Sequence, residues 1–157
     1  MPAPESYGGI LALACAIVAV ARRNRPIGGW LFYFFCQVAL GLALIAAGSN
    51  WKNYLPAQWI DPGRYLLFAI SSFSRTVLLA AIAAICFVAI ETRAWRWIVA
   101  LQYALGTYAF LTILKLPVDY YCVPAAAARD TLSLAFPVVW MVYFAASQRV
   151  RRVFLVN

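Results

Sequence analysis

Histidine is absent from this chain, and acidic side chains number only five: Glu5, Asp61, Glu91, Asp119 and Asp130. Without histidine, the usual zinc arrangements lose their commonest ligand and enzymes lose their most frequent general acid and base. Charged residues of either sign make up 11% of the chain, against about 25% in average soluble domains. Cysteine offers no framework either. Cys15, Cys36 and Cys86 lie inside apolar runs, where a thiol behaves as a small hydrophobe, and Cys122 stands alone in an expected external loop. There is no CxxC pair, so neither a disulfide scaffold nor a metal centre is expected, and no cofactor is implied.

What the chain does have is apolar surface: 66% of its 157 residues are hydrophobic, with a mean hydropathy of +0.81. A chain this short cannot hide so many apolar side chains in a water-facing core, because small domains leave much of their surface exposed. Lipid must be its main solvent. The formal charge of +8 does not indicate nucleic acid, because the arginines fall at the ends of apolar runs. That is the positive-inside pattern of membrane proteins.

The segment Arg22-Arg23-Asn24-Arg25-Pro26-Ile27-Gly28-Gly29-Trp30 organises the rest. Arg22, Arg23 and Arg25 cannot sit in hydrocarbon, so this is a hinge at the cytoplasmic surface, with Trp30 at the interface. Before it, Gly8 to Ala21 is uncharged. A helix of that length rises only about 21 Å against a hydrocarbon core of about 30 Å, and Ser6, Tyr7 and a snorkelling Arg22 extend it. A cleaved signal peptide is the rival reading, since Ala19-Val20-Ala21 resembles a cleavage site. Its positive charge would have to precede the apolar run, whereas here the arginines follow it. An uncleaved first helix is preferred.

Five spans are expected, over about residues 7–22, 27–48, 66–90, 97–114 and 130–147, with external loops at 49–64 and 115–129. The fold class is therefore all-α: a polytopic transmembrane helix bundle, with a four-span core and a short N-terminal helix, forming one integral membrane domain. In the second span Ala39, Ala43 and Ala47 form a small-residue face suited to close helix packing, and Trp51 marks its outer end. Asp61-Pro62 reads as an N-cap followed by proline at the first helical position. A helix from there to Glu91 exceeds one bilayer thickness and must tilt or begin outside.

Arg75 is the one charge inside that run, within Ser71-Ser72-Phe73-Ser74-Arg75-Thr76. An intramembrane charge marks a candidate functional site. Its position about one turn below the outer surface favours simple snorkelling instead. Arg93 and Arg96 form a second cytoplasmic turn with Glu91 as their pairing partner, and Gln102, Thr107 and Thr112 are expected to bond neighbouring helices. Asp130 is placed to cap the last span, Pro137 to kink it, and Trp140 and Tyr143 share one face. After Ser147, the basic residues Arg149, Arg151 and Arg152 close the chain. Eight arginines thus fall on one side; Lys52, Arg64, Lys115 and Arg129 fall on the other. This puts the N-terminus outside and the C-terminus in the cytoplasm.

Two stretches carry a resemblance. Ile27-Gly28-Gly29-Trp30-Leu31 resembles the entry to the first core helix of domain-of-unknown-function family 2569, small bacterial inner-membrane proteins. The run Trp140, Tyr143, Phe144, Ser147, Arg149, Val150, Arg151, Arg152, Phe154 resembles that family's closing pattern, with Val153 where the family has Thr. The resemblance implies a bacterial inner-membrane location and a four-span core over about residues 26–156. It marks Trp140, Tyr143, Ser147 and Arg149 as candidate functional residues and carries no catalytic group.

Three function classes follow. An enzyme would need a dyad of Asp119 with Asp61 or Asp130 at the outer face, which nothing in the spacing requires. A small oligomeric transporter or channel for an anionic solute or lipid would use Arg75, Ser71, Ser74, Gln102, Thr107 and Thr112. The preferred reading is a non-enzymatic, membrane-embedded interaction or accessory subunit. Its partners would be the lipid bilayer and either another protein or further copies of itself. The basic C-terminal residues are read chiefly as topology determinants, with a basic tail able to meet anionic lipid or an acidic partner.

Overall fold

The computed structural model describes residues 4–24, 29–46, 55–58, 60–122 and 124–155, with side chains omitted at 4–12, 44–46, 58, 124–127 and 129. Arg25, the Ile27-Gly28 entry, Ala47, Trp51, Lys52 and the Arg129 side chain lie outside the described residues. Every regular element among the described residues is helical: α1 (Pro4–Ala21), α2 (Trp30–Ala46), α3 (Pro62–Thr92), α4 (Trp95–Cys122), α5 (Pro124–Ser133), α6 (Ala135–Ala146) and α7 (Gln148–Leu155), with a short 3-10 turn at Pro56–Gln58.

Local chemistry sets the longest helix. Asp61 takes an extended conformation and its carboxylate accepts the Gly63 N–H at 2.8 Å, with Pro62 opening α3. Arg93 ends it in the left-handed region at φ 48°, ψ 28°, and its N–H returns to the Ala89 carbonyl at 3.0 Å. The 31 residues between run about 46 Å, longer than a bilayer core, as the sequence implies.

α3 and α4 pack as an antiparallel pair along two heptad seams. Phe68, Ser72, Arg75, Leu79, Ile82, Cys86 and Ala89 form the seam of α3. Ile98, Leu101, Leu105, Tyr108, Thr112, Lys115 and Asp119 form that of α4. Spacings alternate between three and four residues throughout, the period that keeps one stripe facing a partner helix. Towards the Arg93 turn the seams are apolar. At the far end they become polar.

α2 adds Leu31, Phe34 and Val38 to the apolar core, and α6 and α7 add Trp140, Phe144, Val150 and Phe154. The Phe34 ring sits 4.9 Å from Trp140, 5.0 Å from Phe144 and 5.9 Å from Phe136, centroid to centroid. Outside this core, Leu66, Ile70, Phe73, Phe87, Phe110, Ile113 and Val142 are each at least half exposed. Such an outer surface is stable against lipid and costly against water.

α3 and α4 are long and apolar enough to cross a membrane, and Asp130–Ala146 with α7 makes a third candidate if that bent pair counts as one. Five spans are therefore not reached among the described residues. α2 is a shorter apolar helix that ends at Ala46. α1 has 18 residues, with side chains described only from Leu13 onward.

Several local expectations are corrected. The external loop at 115–129 is largely helical: α4 continues through Pro117 to Cys122, and α5 begins at Pro124. It can continue because Lys115 and Asp119, one turn apart, neutralise each other on the buried seam. Asp130 consequently lies well inside α5 instead of capping it. The interruption expected at Pro137 falls at Leu134, the junction of α5 and α6, where the Leu134 N–H bonds Thr131 in a tightened turn. Pro137 has no N–H to give the Ser133 carbonyl, so the disturbance appears one turn earlier. Ala39 and Ala43 face outward; the small residue in close helix contact is Gly41, where a Cβ would meet Leu79 Cδ2 at 3.5 Å.

Candidate functional site

At the polar end of the seams, helices α3, α4 and α5 meet in a charged network. The Arg75 guanidinium donates through Nη1 to Asp130 Oδ2, and through Nη2 to the Tyr108 hydroxyl at 3.2 Å and Ser133 Oγ at 3.3 Å. Its carbon also lies 5.2 Å from the centre of the Tyr108 ring. Lys115 Nζ donates to both oxygens of Asp119, at 2.5 and 2.6 Å, and to Asp130 Oδ2 at 2.7 Å. Ser133 Oγ donates to the Asp130 carbonyl at 2.7 Å. Two cations meet two carboxylates, and Asp130 Oδ2 receives both of them.

Burial makes this arrangement consequential. The Arg75, Lys115 and Asp130 side chains are 12%, 7% and 13% exposed, and Asp119 is fully enclosed. All three Lys115 hydrogens have carboxylate acceptors, as a desolvated ammonium requires. Arg75 therefore turns inward to α5 and α4, whereas the sequence favoured snorkelling to the interface. The Asp119–Asp130 dyad considered for an enzyme does converge, but Lys115 stands on both carboxylates. Asp61 stays apart with Arg64, at 3.6 Å and largely exposed, a pair of little energetic weight.

Among the described residues, two polar atoms of this layer have no partner: Ser72 Oγ and Arg75 Nε, both buried and on neighbouring turns of the α3 seam. Several hydroxyl side chains of the spans satisfy themselves locally. Ser71, Ser74, Thr107 and Thr112 donate to carbonyls of their own helices, instead of bonding a neighbouring helix as expected for the threonines.

The motif residues of the C-terminal run lie at the other end. Trp140 Nε1 donates to Gln37 Oε1 at 2.9 Å, tying α6 to α2, and its ring meets Tyr143 edge-on at 5.4 Å. Ser147 breaks the chain direction by 67° between α6 and α7, and its Oγ accepts the Val150 N–H at 3.4 Å. Arg149 Nη2 donates to the Arg23 carbonyl at 2.5 Å, while Arg151 Nη2 donates to the Ala145 carbonyl at 3.1 Å. This joins the first basic hinge to the last. Arg22 lies over Phe32, Arg96 over Trp97, and Trp30 and Arg152 are exposed. Glu91 is exposed and forms no ion pair among the described residues, contrary to its expected pairing with Arg93 or Arg96.

Sequence reasoning singled out Arg75 and missed its partners. Read as charges that end apolar runs, Lys115 and Asp119 fall in a loop and Asp130 at a cap. The heptad phase carries the signal: extending Ile98, Leu101, Leu105 by the same alternation reaches Lys115 and Asp119, and the α3 phase reaches Arg75. Among the described residues no group of histidine, cysteine or carboxylate side chains could hold a metal. No protein-family model, curated protein or solved structure matches this chain.

Proposed function

We propose that this chain is a bacterial inner-membrane protein of five spans, N-terminus outside and C-terminus cytoplasmic, that works as a non-enzymatic interaction or accessory subunit. The observation that carries this reading is the internal neutrality of the Arg75–Lys115–Asp119–Asp130 network. A site built to bind an ion or activate a substrate keeps a charge or proton acceptor available. Here both carboxylates are occupied by cations of the same chain, so the network acts as a latch that fixes α5 against α3 and α4. Function then falls to the outer surfaces. The likeness of Trp140 to Phe154 to the closing pattern of family 2569 accords with this proposal.

Extraction from native membrane in polymer-bounded lipid discs, followed by intact-complex mass determination, tests it. A stoichiometric foreign protein is the expected result. A chain that emerges alone or only with its own copies overturns the accessory reading.

A second reading, a small oligomeric transporter or channel for a small or anionic solute or lipid, draws on the unpartnered Ser72 Oγ and Arg75 Nε. Buried donors without acceptors are costly, and a polar guest would relieve both. On that reading Arg75→Ala abolishes uptake or lipid retention without lowering membrane abundance. Normal uptake by that variant would sink it.

A further inference from the structure

Charge compensation differs sharply between the two ends of the bundle. At the Asp61 end, Arg64, Arg75 and Lys115 face Asp61, Asp119 and Asp130, and all four ion pairs among the described residues are found there. At the opposite end lie Arg22, Arg23, Arg93, Arg96, Arg149, Arg151 and Arg152, with Glu91 as the single described carboxylate. Among the described residues, seven positive charges against one negative leave +6. Structural chemistry accounts for part of this set: Arg149 and Arg151 cap backbone carbonyls. It leaves the net charge untouched.

α7 gives that charge a shape. Val150 and Phe154, one turn apart, are 0% and 1% exposed against the core, while Gln148, Arg151, Arg152 and Leu155 face outward. The 67° turn at Ser147 lays the helix across the end of the bundle instead of prolonging α6. Arg149 pins it to the first basic hinge at the Arg23 carbonyl. The result is a broad basic platform with an exposed leucine among its arginines. A helix lying across the end of a membrane-spanning bundle meets a plane of headgroups, and guanidinium groups match phosphate geometry in pairs of hydrogen bonds.

We infer that α7, with the Arg22–Arg23 hinge, forms a binding surface for anionic phospholipid headgroups, which supply the missing negative charge. A headgroup plane fits better than an acidic soluble protein. The arginines spread over three chain segments, and two, Arg149 and Arg151, are held down on backbone carbonyls instead of projecting. The inference rests on membrane insertion alone and not on the accessory-subunit reading. Bound lipid and foreign protein also register as separate masses.

The full-length protein, exchanged into discs of mixed phosphatidylglycerol and phosphatidylcholine and released intact in a mass spectrometer, tests it through the lipids retained. Wild type is expected to retain phosphatidylglycerol over phosphatidylcholine by about tenfold, and R151Q/R152Q to fall to within about twofold of parity. R151K/R152K, which keeps the charge, retains most of the preference, and R64Q at the opposite end leaves it unchanged. The wild-type preference should also fall as salt is raised, a readout that stands even if a variant fails to fold. Equal retention of both lipids by wild type, an equal loss in R64Q, or an acidic protein on this surface in native discs without anionic lipid would each overturn the inference.

Discussion

Lys115 of α4 reaches Asp130 of α5 at 2.7 Å while its remaining hydrogens are taken by Asp119. One ammonium thus bridges two carboxylates from different helices, and the Arg75 guanidinium closes the arrangement on Asp130. Replacing Asp130 by Asn leaves Arg75 and Lys115 with a single enclosed carboxylate between them. Breaking a buried pair from one side costs about 3–5 kcal/mol. D130N should therefore lower the unfolding temperature in detergent more than D61N, whose carboxylate is exposed. Parallel thermal scans check this, and equal effects would contradict the latch.

Arg75→Met separates the latch from a binding role. On the latch reading the variant strands Asp130 beside Lys115 alone and loosens α5, so amide exchange across 124–133 should accelerate relative to α4 near Leu101. If Arg75 instead served only a polar guest, α5 protection would stay unchanged. Hydrogen exchange on the purified protein distinguishes the two.

The sequence disclosed more of this fold than of its charged layer. The Asp61-Pro62 start, the length of α3 and the basic turns are legible because each depends on chemistry within a few residues. The latch depends on residues up to 58 positions apart, as in Arg75 with Ser133, and no local signal announces the α5 partner. A lone charge is expelled from hydrocarbon, which places charged residues in loops. Lys115 and Asp119 escape that rule because they form a pair. The heptad phase puts three of the four charges, Arg75, Lys115 and Asp119, on buried seams.

Trp140 and Gln37 connect α6 to α2 through one side-chain hydrogen bond. W140F and Q37L, made singly and together, form a double-mutant cycle. Interhelical hydrogen bonds of this kind contribute about 0.6 to 1.7 kcal/mol. A coupling energy in that range from denaturation in mild detergent would establish the bond as a real tie. A value near zero would leave Trp140 with packing alone, against Phe34 and Phe144.

Two glycines should respond to alanine in opposite directions, because their backbones differ. Gly29 sits at φ +59°, and an added Cβ would lie 3.1 Å from Arg149 Nη1. G29A therefore combines left-handed strain, which costs about 1–2 kcal/mol, with a displaced Arg149 clasp. Its amide bond to the Ala19 carbonyl should weaken as well. Gly41 lies within α2, and its added Cβ would meet Leu79 Cδ2 in ordinary contact at 3.5 Å. G41A gains helix propensity of about 0.8–1.0 kcal/mol without steric cost. G29A should therefore speed amide exchange around Ala19–Arg23, while G41A should be neutral or stabilising and G41L should force α2 away from α3. If G29A and G41A shift the unfolding temperature alike, Gly29 is not holding the turn that joins the two basic segments.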